Sequence, residues 1–181
     1  RSSAASDVYK RQQAHLPQVR FLVVGDADSG KADAVEPAAA ADYGLAAACL
    51  FLGRRPNNEL PRLYRLMDVL VLPSLFEGVP RAVMEAAAMG VPAVVSDVSG
   101  NREAVEHGRN GLRTPLGDVE ALASAIVALL TDGERARRMG QEGRRIALER
   151  FDEQQVFAKV QTEYARLLRV KGLTAPGNGE K

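Results

Sequence analysis

The stretch DVLVLPSLFEGVPRAVMEAAAMGVPAVVSD, residues 68–97, contains one complete strand–helix–strand pattern. Its first part has a fully apolar core that ends at Pro73, which predicts a buried strand. Residues 79–90 then have the composition and periodicity of a helix, and Gly90 suits its C-terminal cap. A second apolar strand follows at 92–97. This order predicts a βαβ unit with two parallel strands.

The same alternation continues on both sides of this unit. Upstream, we predict strands at 19–25 and 48–53 and helices at 35–45 and 58–67; downstream, we predict a short helix at 100–108 and a brief strand at 110–115. Strands that are apolar on both faces are typical of parallel sheets covered by helices on both sides. The chain is therefore predicted to have an α/β fold with a Rossmann-like parallel sheet. In such sheets, ligands bind beyond the carboxyl ends of the strands.

The last third of the chain is predicted to be helical. Asp118 is a good N-cap for a helix over 119–132, and two further helices are expected over 133–151 and 152–170. The first helix has its large apolar residues on one face, and so does the last; the two sets are Leu122, Ile126, Leu129 and Leu130, and Val156, Phe157, Val160, Tyr164, Leu167 and Leu168.

Composition excludes several classes of protein. The 181 residues are 46% hydrophobic and 26% charged, with a net charge of +1, so no bulk field favours nucleic acid, and no nucleic-acid partner is expected. One cysteine and two histidines make a structural metal site improbable. No apolar run approaches the ~20 residues of a membrane span, and the N-terminal residues do not resemble a signal peptide. A cytoplasmic location is expected.

Two carboxylates in the opening stretch attract attention because of their position after a strand. Glu77 precedes the predicted helix, and Glu85 lies eight positions later, within it. A carboxylate can accept two hydroxyl hydrogens from a vicinal diol, such as that of a ribose or a pyranose. Between them, Gly78 and the first-turn amides of the helix suit a phosphate. The alternative is structural: Glu77 as a partner of the helix dipole, and Glu85 as a solvated helix residue.

The segment FLVVGDADSGKADA, residues 21–34, has the G-x-x-x-x-G-K spacing of a phosphate-binding loop. The residue after Lys31 is Ala32, however, where such a loop needs a hydroxyl for Mg²⁺. Asp26 and Asp28 would also repel a pyrophosphate. We therefore interpret this segment as a strand that ends in an acidic surface turn. The Asp26-Ala27-Asp28 sequence lies in the wrong loop for a catalytic metal site, and no metal is expected.

The motifs taken in order resemble one family. FLVVGDAD, LFLGRR, LYRLMDVLVLPS, the Glu-(seven residues)-Glu segment, SDVSGNREAV and NGLRTPLGD occur in the order found in the C-terminal, donor-binding domain of retaining glycosyltransferases of family 4. The resemblance runs from about residue 16 to 168. It implies the C-terminal half of a GT-B fold. It is strongest to bacterial enzymes that build surface polysaccharides and lipid-linked oligosaccharides, usually from UDP-sugars.

The resemblance implies roles for individual residues. Glu77 would hold hydroxyls of the donor sugar and is the predicted catalytic residue, and Glu85 would bind the ribose. The remaining predicted donor-binding residues are Gly78, Val79, Pro80, Arg81 and Ala82 at the sugar and pyrophosphate, Gly53, Arg54 and Arg55 near the base, and Arg102 and Glu103 in the same crevice. Many relatives have Gly-Phe-Gly after the first glutamate, whereas this chain has Gly78-Val79-Pro80. This difference leaves the sugar contacts open.

The resemblance also predicts how the chain is organised. Residues 1–12 resemble translated adapter sequence and are interpreted as a non-native leader; 13–170 would form the donor domain, and 171–181 a disordered tail. The family's pyrophosphate-binding Arg and Lys come from a turn that would precede residue 13. The domain is therefore expected to be incomplete at its N-terminus, and the acceptor-binding domain to be missing.

The implied reaction transfers a sugar from a nucleotide diphosphate, UDP by family expectation, to an acceptor hydroxyl with retention of configuration and without a metal or other cofactor. The acceptor would be a glycan or lipid-linked sugar bound by the missing domain, with peripheral contact to the inner face of the membrane. Two alternatives remain. One is an enzyme of the same architecture, such as a UDP-sugar 2-epimerase or a phosphorylase-like enzyme. The other is a nucleotide-sugar-binding module that is inactive as a fragment.

Overall fold

The structure, a computed structural model, describes residues 16–25, 37–42 and 44–173. These residues form five strands and seven helices. The strands are β1 (Phe21–Val23), β2 (Cys49–Phe51), β3 (Leu70–Leu72), β4 (Ala93–Ser96) and β5 (Gly111–Thr114). The helices are α1 (Pro37–Asp42), α2 (Leu60–Tyr64), α3 (Arg81–Ala88), α4 (Ser99–Ala104), α5 (Val119–Thr131), α6 (Gly133–Arg150) and α7 (Glu153–Val170).

All strand pairs in the described part of the chain are parallel. β3, β4 and β5 form one sheet in that order, with Leu70 beside Ala93 and Ala93 beside Gly111. β1 and β2 form a second, with Phe21 beside Cys49. The predicted α/β fold with parallel strands is therefore confirmed. A cavity of about 780 Å³, lined by residues of β1 and β3, lies between the two sheets.

Helices cover both faces of the larger sheet, as predicted. On one face, Val94 of β4 packs in a cluster with Leu122, Ile126 and Leu129 of α5 and with Met139 of α6. On the other face, Ala93 and Val95 pack with Val83 of α3 and Ala104 of α4. Successive β4 residues point to opposite faces, so the apolar residues Ala93, Val94 and Val95 are buried on both sides of the sheet.

The C-terminal helices begin where their caps predict. The carboxylates of Asp118, Asp132 and Asp152 accept hydrogen bonds from the backbone amides of Ala121, Arg135 and Gln155 at 2.9–3.0 Å. The last helix, α7, contains no buried residue. Its apolar stripe is exposed instead; Phe157 and Tyr164 are 57% and 66% exposed.

One helix ends earlier than its glycine suggested. We expected Gly108 to close the helix near residue 108, but α4 ends at Ala104, and Val105 is already extended. The side chain of Asn110 explains this early end. It donates to the Ala104 carbonyl at 2.9 Å and accepts from the Glu106 amide at 2.7 Å. Gly108 instead makes the turn into β5.

Several sequence predictions lie outside the described residues. These are the leader at 1–12, most of the acidic turn with Asp26, Asp28 and Lys31, and the tail from residue 174 onward. The interpretation of the Gly25–Lys31 spacing as a surface turn therefore stays a prediction.

Candidate functional site

The loops that follow the parallel strands contact one another in pairs at the carboxyl edges of the sheets. After β1 and β2, the amide of Gly25 donates to the carbonyl of Gly53 at 3.0 Å. After β4 and β5, the amide of Asp97 donates to the carbonyl of Thr114 at 2.8 Å. The loop after β3 lies at the same edge, where ligands of such folds bind.

The loop between β3 and α3 holds Glu77 in a defined orientation. The hydroxyl of Ser74 donates to Oε1 of Glu77 at 2.6 Å, a short, charge-assisted bond. Glu77 is only half-buried, and Oε1 is the oxygen that Ser74 binds. The backbone of Glu77 and Gly78 contacts Gly100 at the start of α4. The loop is therefore fixed from two sides.

The N-terminus of α3 lies directly after this loop. Pro80 is the N-cap residue, with extended backbone angles of −75° and 115°, and the helix begins at Arg81 rather than at residue 79. Proline suits this boundary because its φ is fixed near the helical value. The amides of a first helical turn lack partners within the helix. Val79 is 47% exposed, and Gly78 is open to solvent.

Glu85 lies one turn further along α3 and has a partner for each carboxylate oxygen. The hydroxyl of Tyr64, in α2, donates to Oε2 at 3.0 Å. Nη2 of Arg81 lies 3.4 Å from Oε1, an i,i+4 pair. The Glu85 side chain is 36% exposed and that of Arg81 80% exposed, so this carboxylate faces solvent on one side only.

The other predicted site residues occupy neighbouring loops. Gly53 has a left-handed backbone, with φ of +63°, and makes the turn after β2. Arg54 and Arg55 are exposed, and Arg55 lies 3.9 Å from Glu59.

Of the two predicted site residues in α4, Arg102 forms an ion pair and Glu103 is exposed. Arg102 donates to Asp97 from Nε at 2.9 Å, and this ion pair holds the pKa of Asp97 below its usual value. Arg113 also approaches Asp97, at 3.3 Å. Arg102 thus ties α4 to the end of β4, a contact that its sequence context did not predict.

Sequence reasoning missed three residues that hold the carboxylates and their loop: Tyr64, Ser74 and Gly100. Tyr64 falls within the helix predicted at 58–67, and its side chain is buried. Only the Ser74 contact had a local sequence signal. Ser74 lies three residues before Glu77, and this spacing within a turn permits a hydrogen bond between the two side chains.

Together, these groups can bind a polar ligand with hydroxyls and an anionic part. Two oriented carboxylates offer acceptors for hydroxyl groups, and a helix N-terminus between them offers donors for an anion. Within the described ranges, no group of three or more His, Cys, Asp or Glu side chains could hold a metal ion. The described helices also include none long and apolar enough to cross a membrane.

Known proteins share this sequence and fold. Residues 3–146 match the family described as glycosyl transferases group 1. The chain is 33% identical over 117 residues to the UDP-Gal:alpha-D-GlcNAc-diphosphoundecaprenol alpha-1,3-galactosyltransferase of Escherichia coli. The matched segment covers 65% of this chain and 29% of that protein.

Two solved structures are similar in fold as well. Sucrose-phosphate synthase from Thermosynechococcus elongatus matches with a TM-score of 0.81 and 28% identity, over 91% of this chain and 42% of that one. Anabaena HepE in complex with UDP matches with a TM-score of 0.75 and 29% identity, over 86% of this chain and 44% of the HepE chain. The chain thus spans under a third of the Escherichia coli relative and under half of both solved chains.

The family match covers well over half of the chain, and the fold is similar to that of the solved sucrose-phosphate synthase, with a TM-score of 0.81. The chain belongs to the glycosyl transferases group 1 family, as a C-terminal GT-B domain.

Proposed function

We propose that this chain is the donor-binding domain of a retaining glycosyltransferase of family 4. The full-length enzyme would transfer a sugar from a nucleotide diphosphate, with UDP the expected nucleotide, to an acceptor hydroxyl in surface polysaccharide or glycolipid synthesis. A relative whose name specifies UDP-galactose and a neighbour solved with UDP support this choice of nucleotide.

One observation carries the proposal: two oriented carboxylates flank the start of α3 at the carboxyl end of β3. Ser74 fixes one oxygen of Glu77, and Tyr64 fixes one oxygen of Glu85. A sugar–pyrophosphate–nucleoside has hydroxyl groups at both ends and negative charge in the middle. That sequence of groups matches two acceptors separated by helix N-terminal amides.

The family resemblance assigns the two carboxylates to the two ends of such a donor. Glu85 binds the ribose, and Glu77 binds the transferred sugar next to the reacting carbon. Gly78, Val79, Pro80, Arg81 and Ala82 line the sugar and pyrophosphate, and Gly53, Arg54 and Arg55 lie by the base, with Arg102 and Glu103 at the margin of the crevice. The amides stabilise the leaving diphosphate by preorganised electrostatics. Donor binding needs no metal, so EDTA leaves it unchanged.

The donor domain extends upstream of this sequence, and the cavity between β1 and β3 supports that view. In the described part, β1 and β3 are edge strands of their sheets, and apolar residues such as Leu22, Val71 and Ile126 line the space between them. Parallel sheets are normally buried, and open strand edges favour aggregation. A further parallel strand in this cavity would join the two sheets and bring a basic turn to the pyrophosphate.

The acceptor, a glycan or lipid-linked sugar, binds to a separate N-terminal domain of the full-length enzyme. The exposed apolar stripe of α7 provides the surface that packs towards that domain. The enzyme works in the cytoplasm, with peripheral contact at the inner face of the membrane. As a fragment without its acceptor domain, this chain is inactive in transfer.

Thermal-shift measurements on the 181-residue chain test the proposal with UDP, GDP and ADP, alongside Glu85→Ala. A ligand at 100 times its dissociation constant adds about 2.7 kcal/mol to the free energy of unfolding. We expect a shift that is largest with UDP and is lost in Glu85→Ala. Exposed Glu153→Gln, at the start of α7, is a control for the loss of one surface carboxylate outside the site and should retain the shift.

Equal shifts with all three nucleotides, or a UDP shift that survives in Glu85→Ala, would contradict the assigned site. Transfer itself is tested with the full-length enzyme, UDP-sugar and acceptor lipid. Retention is read from the anomeric configuration of the product by NMR.

A further inference from the structure

The buried tyrosine that donates to Glu85 is not among the residues assigned to contact the donor. Tyr64 is the last residue of α2 and is 8% exposed. Its ring packs in an apolar cluster with Val91 and with Ala86, which follows Glu85 in α3. The hydroxyl is the one polar side-chain atom of a residue set in apolar surroundings, and it donates to Oε2 of Glu85 at 3.0 Å.

This contact restricts the carboxylate without covering it. A flexible glutamate side chain loses rotamer entropy when a ligand immobilises it. A hydrogen bond from a buried, rigid phenol immobilises Glu85 before any ligand arrives. The side chain still has 36% of its surface exposed, and in the described part of the chain its Oε1 lies 3.4 Å from Nη2 of Arg81, a side chain that is itself 80% exposed. One oxygen is thus anchored, while the other remains accessible.

In the hydrogen bond between Tyr64 and Glu85, the phenol is the donor and the carboxylate is the acceptor. Burial, followed by the hydrogen bond to the Glu85 carboxylate, raises the pKa of Tyr64 above its usual value. The phenol therefore keeps its proton at neutral pH, and the hydrogen bond runs from Tyr64 to the Glu85 carboxylate.

We propose that Tyr64 is the positioning residue of the ribose-binding carboxylate. By holding Oε2, it orients Glu85 so that its accessible oxygen accepts from a vicinal diol. This inference rests on the proposed function, because it requires that Glu85 bind the ribose. Tyr64 does not touch the nucleotide; it acts through Glu85.

The test uses Tyr64→Phe, which keeps the buried ring and removes only the hydroxyl. Isothermal titration calorimetry gives the dissociation constants of UDP and of 2′,3′-dideoxy-UDP, which lacks both ribose hydroxyls. We expect Tyr64→Phe to weaken UDP binding about tenfold, equivalent to ~1.4 kcal/mol, and to leave dideoxy-UDP binding unchanged. The ratio of the dissociation constant of dideoxy-UDP to that of UDP then falls by the same factor.

Two further proteins complete the test. Tyr164→Phe removes an exposed phenol from α7 and should change neither constant. In a Glu85→Ala background, Tyr64→Phe should cause no additional loss of UDP affinity, because the group that it orients is gone.

A purely structural role predicts different data. If Tyr64→Phe lowers the melting temperature but leaves the ratio of the two dissociation constants unchanged, the inference is overturned while the proposed function stands. If the wild-type chain does not discriminate between UDP and dideoxy-UDP, or Glu85→Ala binds both as the wild type does, the ribose role of Glu85 is wrong, and the inference falls with it.

Discussion

A β-carbon built on Gly100 would lie 1.5 Å from the carbonyl oxygen of Gly78 and 2.4 Å from that of Glu77. The first turn of α4 therefore packs on the backbone of the loop that carries the predicted catalytic carboxylate. The opposing atoms belong to the backbone, so no side-chain rotation can make room for a methyl group there. Glycine at position 100 thus sets the distance between α4 and the Glu77 loop.

Gly100→Ala should displace that loop. Overpacking against backbone costs roughly 1–3 kcal/mol of stability, and the shift also moves Glu77 away from Ser74. We expect a lower free energy of unfolding in urea together with weaker UDP-glucose binding by calorimetry. An alanine protein that melts and binds like the wild type would show that the two segments do not pack as described.

Gly78→Ala is the complementary change, because a β-carbon there would meet no protein atom within 4 Å. Its backbone φ is not in the left-handed region, so the stability change should stay within about ±0.5 kcal/mol. If the pyrophosphate approaches this backbone, the added methyl group will weaken UDP binding more than UMP binding. Equal affinity losses for UDP and UMP, or none, would remove Gly78 from the donor site.

The βαβ order could be predicted from sequence because it depends on local patterns, whereas the roles of Glu77 and Glu85 come from the family resemblance and stay a prediction. The apolar cores at 69–72 and 93–95 and Gly90 after α3 are enough to predict the strand–helix–strand order. The partners that orient the carboxylates depend on tertiary packing instead. Tyr64 reaches Glu85 only because α2 packs against α3, 21 positions further along the chain. Nothing in the residues around Tyr64 encodes that contact.

The end of α4 also depends on a contact that the local sequence does not predict. Gly108 has the left-handed backbone that favours glycine, with φ of +81°, so its selection as a turn residue was sound. The helix nevertheless ends four residues before it, because the buried side chain of Asn110 binds both the last helical carbonyl and the next free amide. A polar side chain six residues away competes with the helix, and its effect depends on burial that the local pattern does not contain.

Gly140 and Gly143 on α6 should respond in opposite ways to alanine. A β-carbon on Gly140 would lie 1.9 Å from the carbonyl oxygen of Gly90, at the C-terminal turn of α3. At Gly143, the nearest neighbours are the β-carbons of Ala87 and Asn110 at 3.6 Å, an ordinary van der Waals distance. Alanine favours a helix interior over glycine by up to ~1 kcal/mol.

We therefore expect Gly143→Ala to be neutral or stabilising and Gly140→Ala to lose roughly 1–3 kcal/mol through overpacking. Urea denaturation of the two single variants and the wild type gives the comparison directly. The pair is its own control, since both changes add the same methyl group to the same helix. Equal stability of the two variants would mean that α6 does not approach Gly90 closely.

Glu142 should make stability depend on pH in the acid range. Arg145 and Arg109 both hydrogen-bond its carboxylate, at 2.8 Å and 2.7 Å to Oε1, and they lower its pKa from 4.5 to about 2. A carboxyl with a depressed pKa in the folded state binds its proton less readily there than in the unfolded chain. Its contribution is therefore complete above about pH 5 and is lost as the pH falls from there towards 2.

The measurement is the melting temperature of the wild type and of Glu142→Gln between pH 7 and pH 2. At pH 7 the variant should melt at the lower temperature, because it no longer pairs the two arginines. The gap should narrow below pH 5 and close near pH 2, where the wild-type carboxylate is itself protonated. These groups lie at the surface, so 1 M NaCl should also reduce the gap at pH 7. A gap that is independent of pH would mean that Glu142 stabilises α6 by packing or as an uncharged hydrogen-bond acceptor, rather than through its charge.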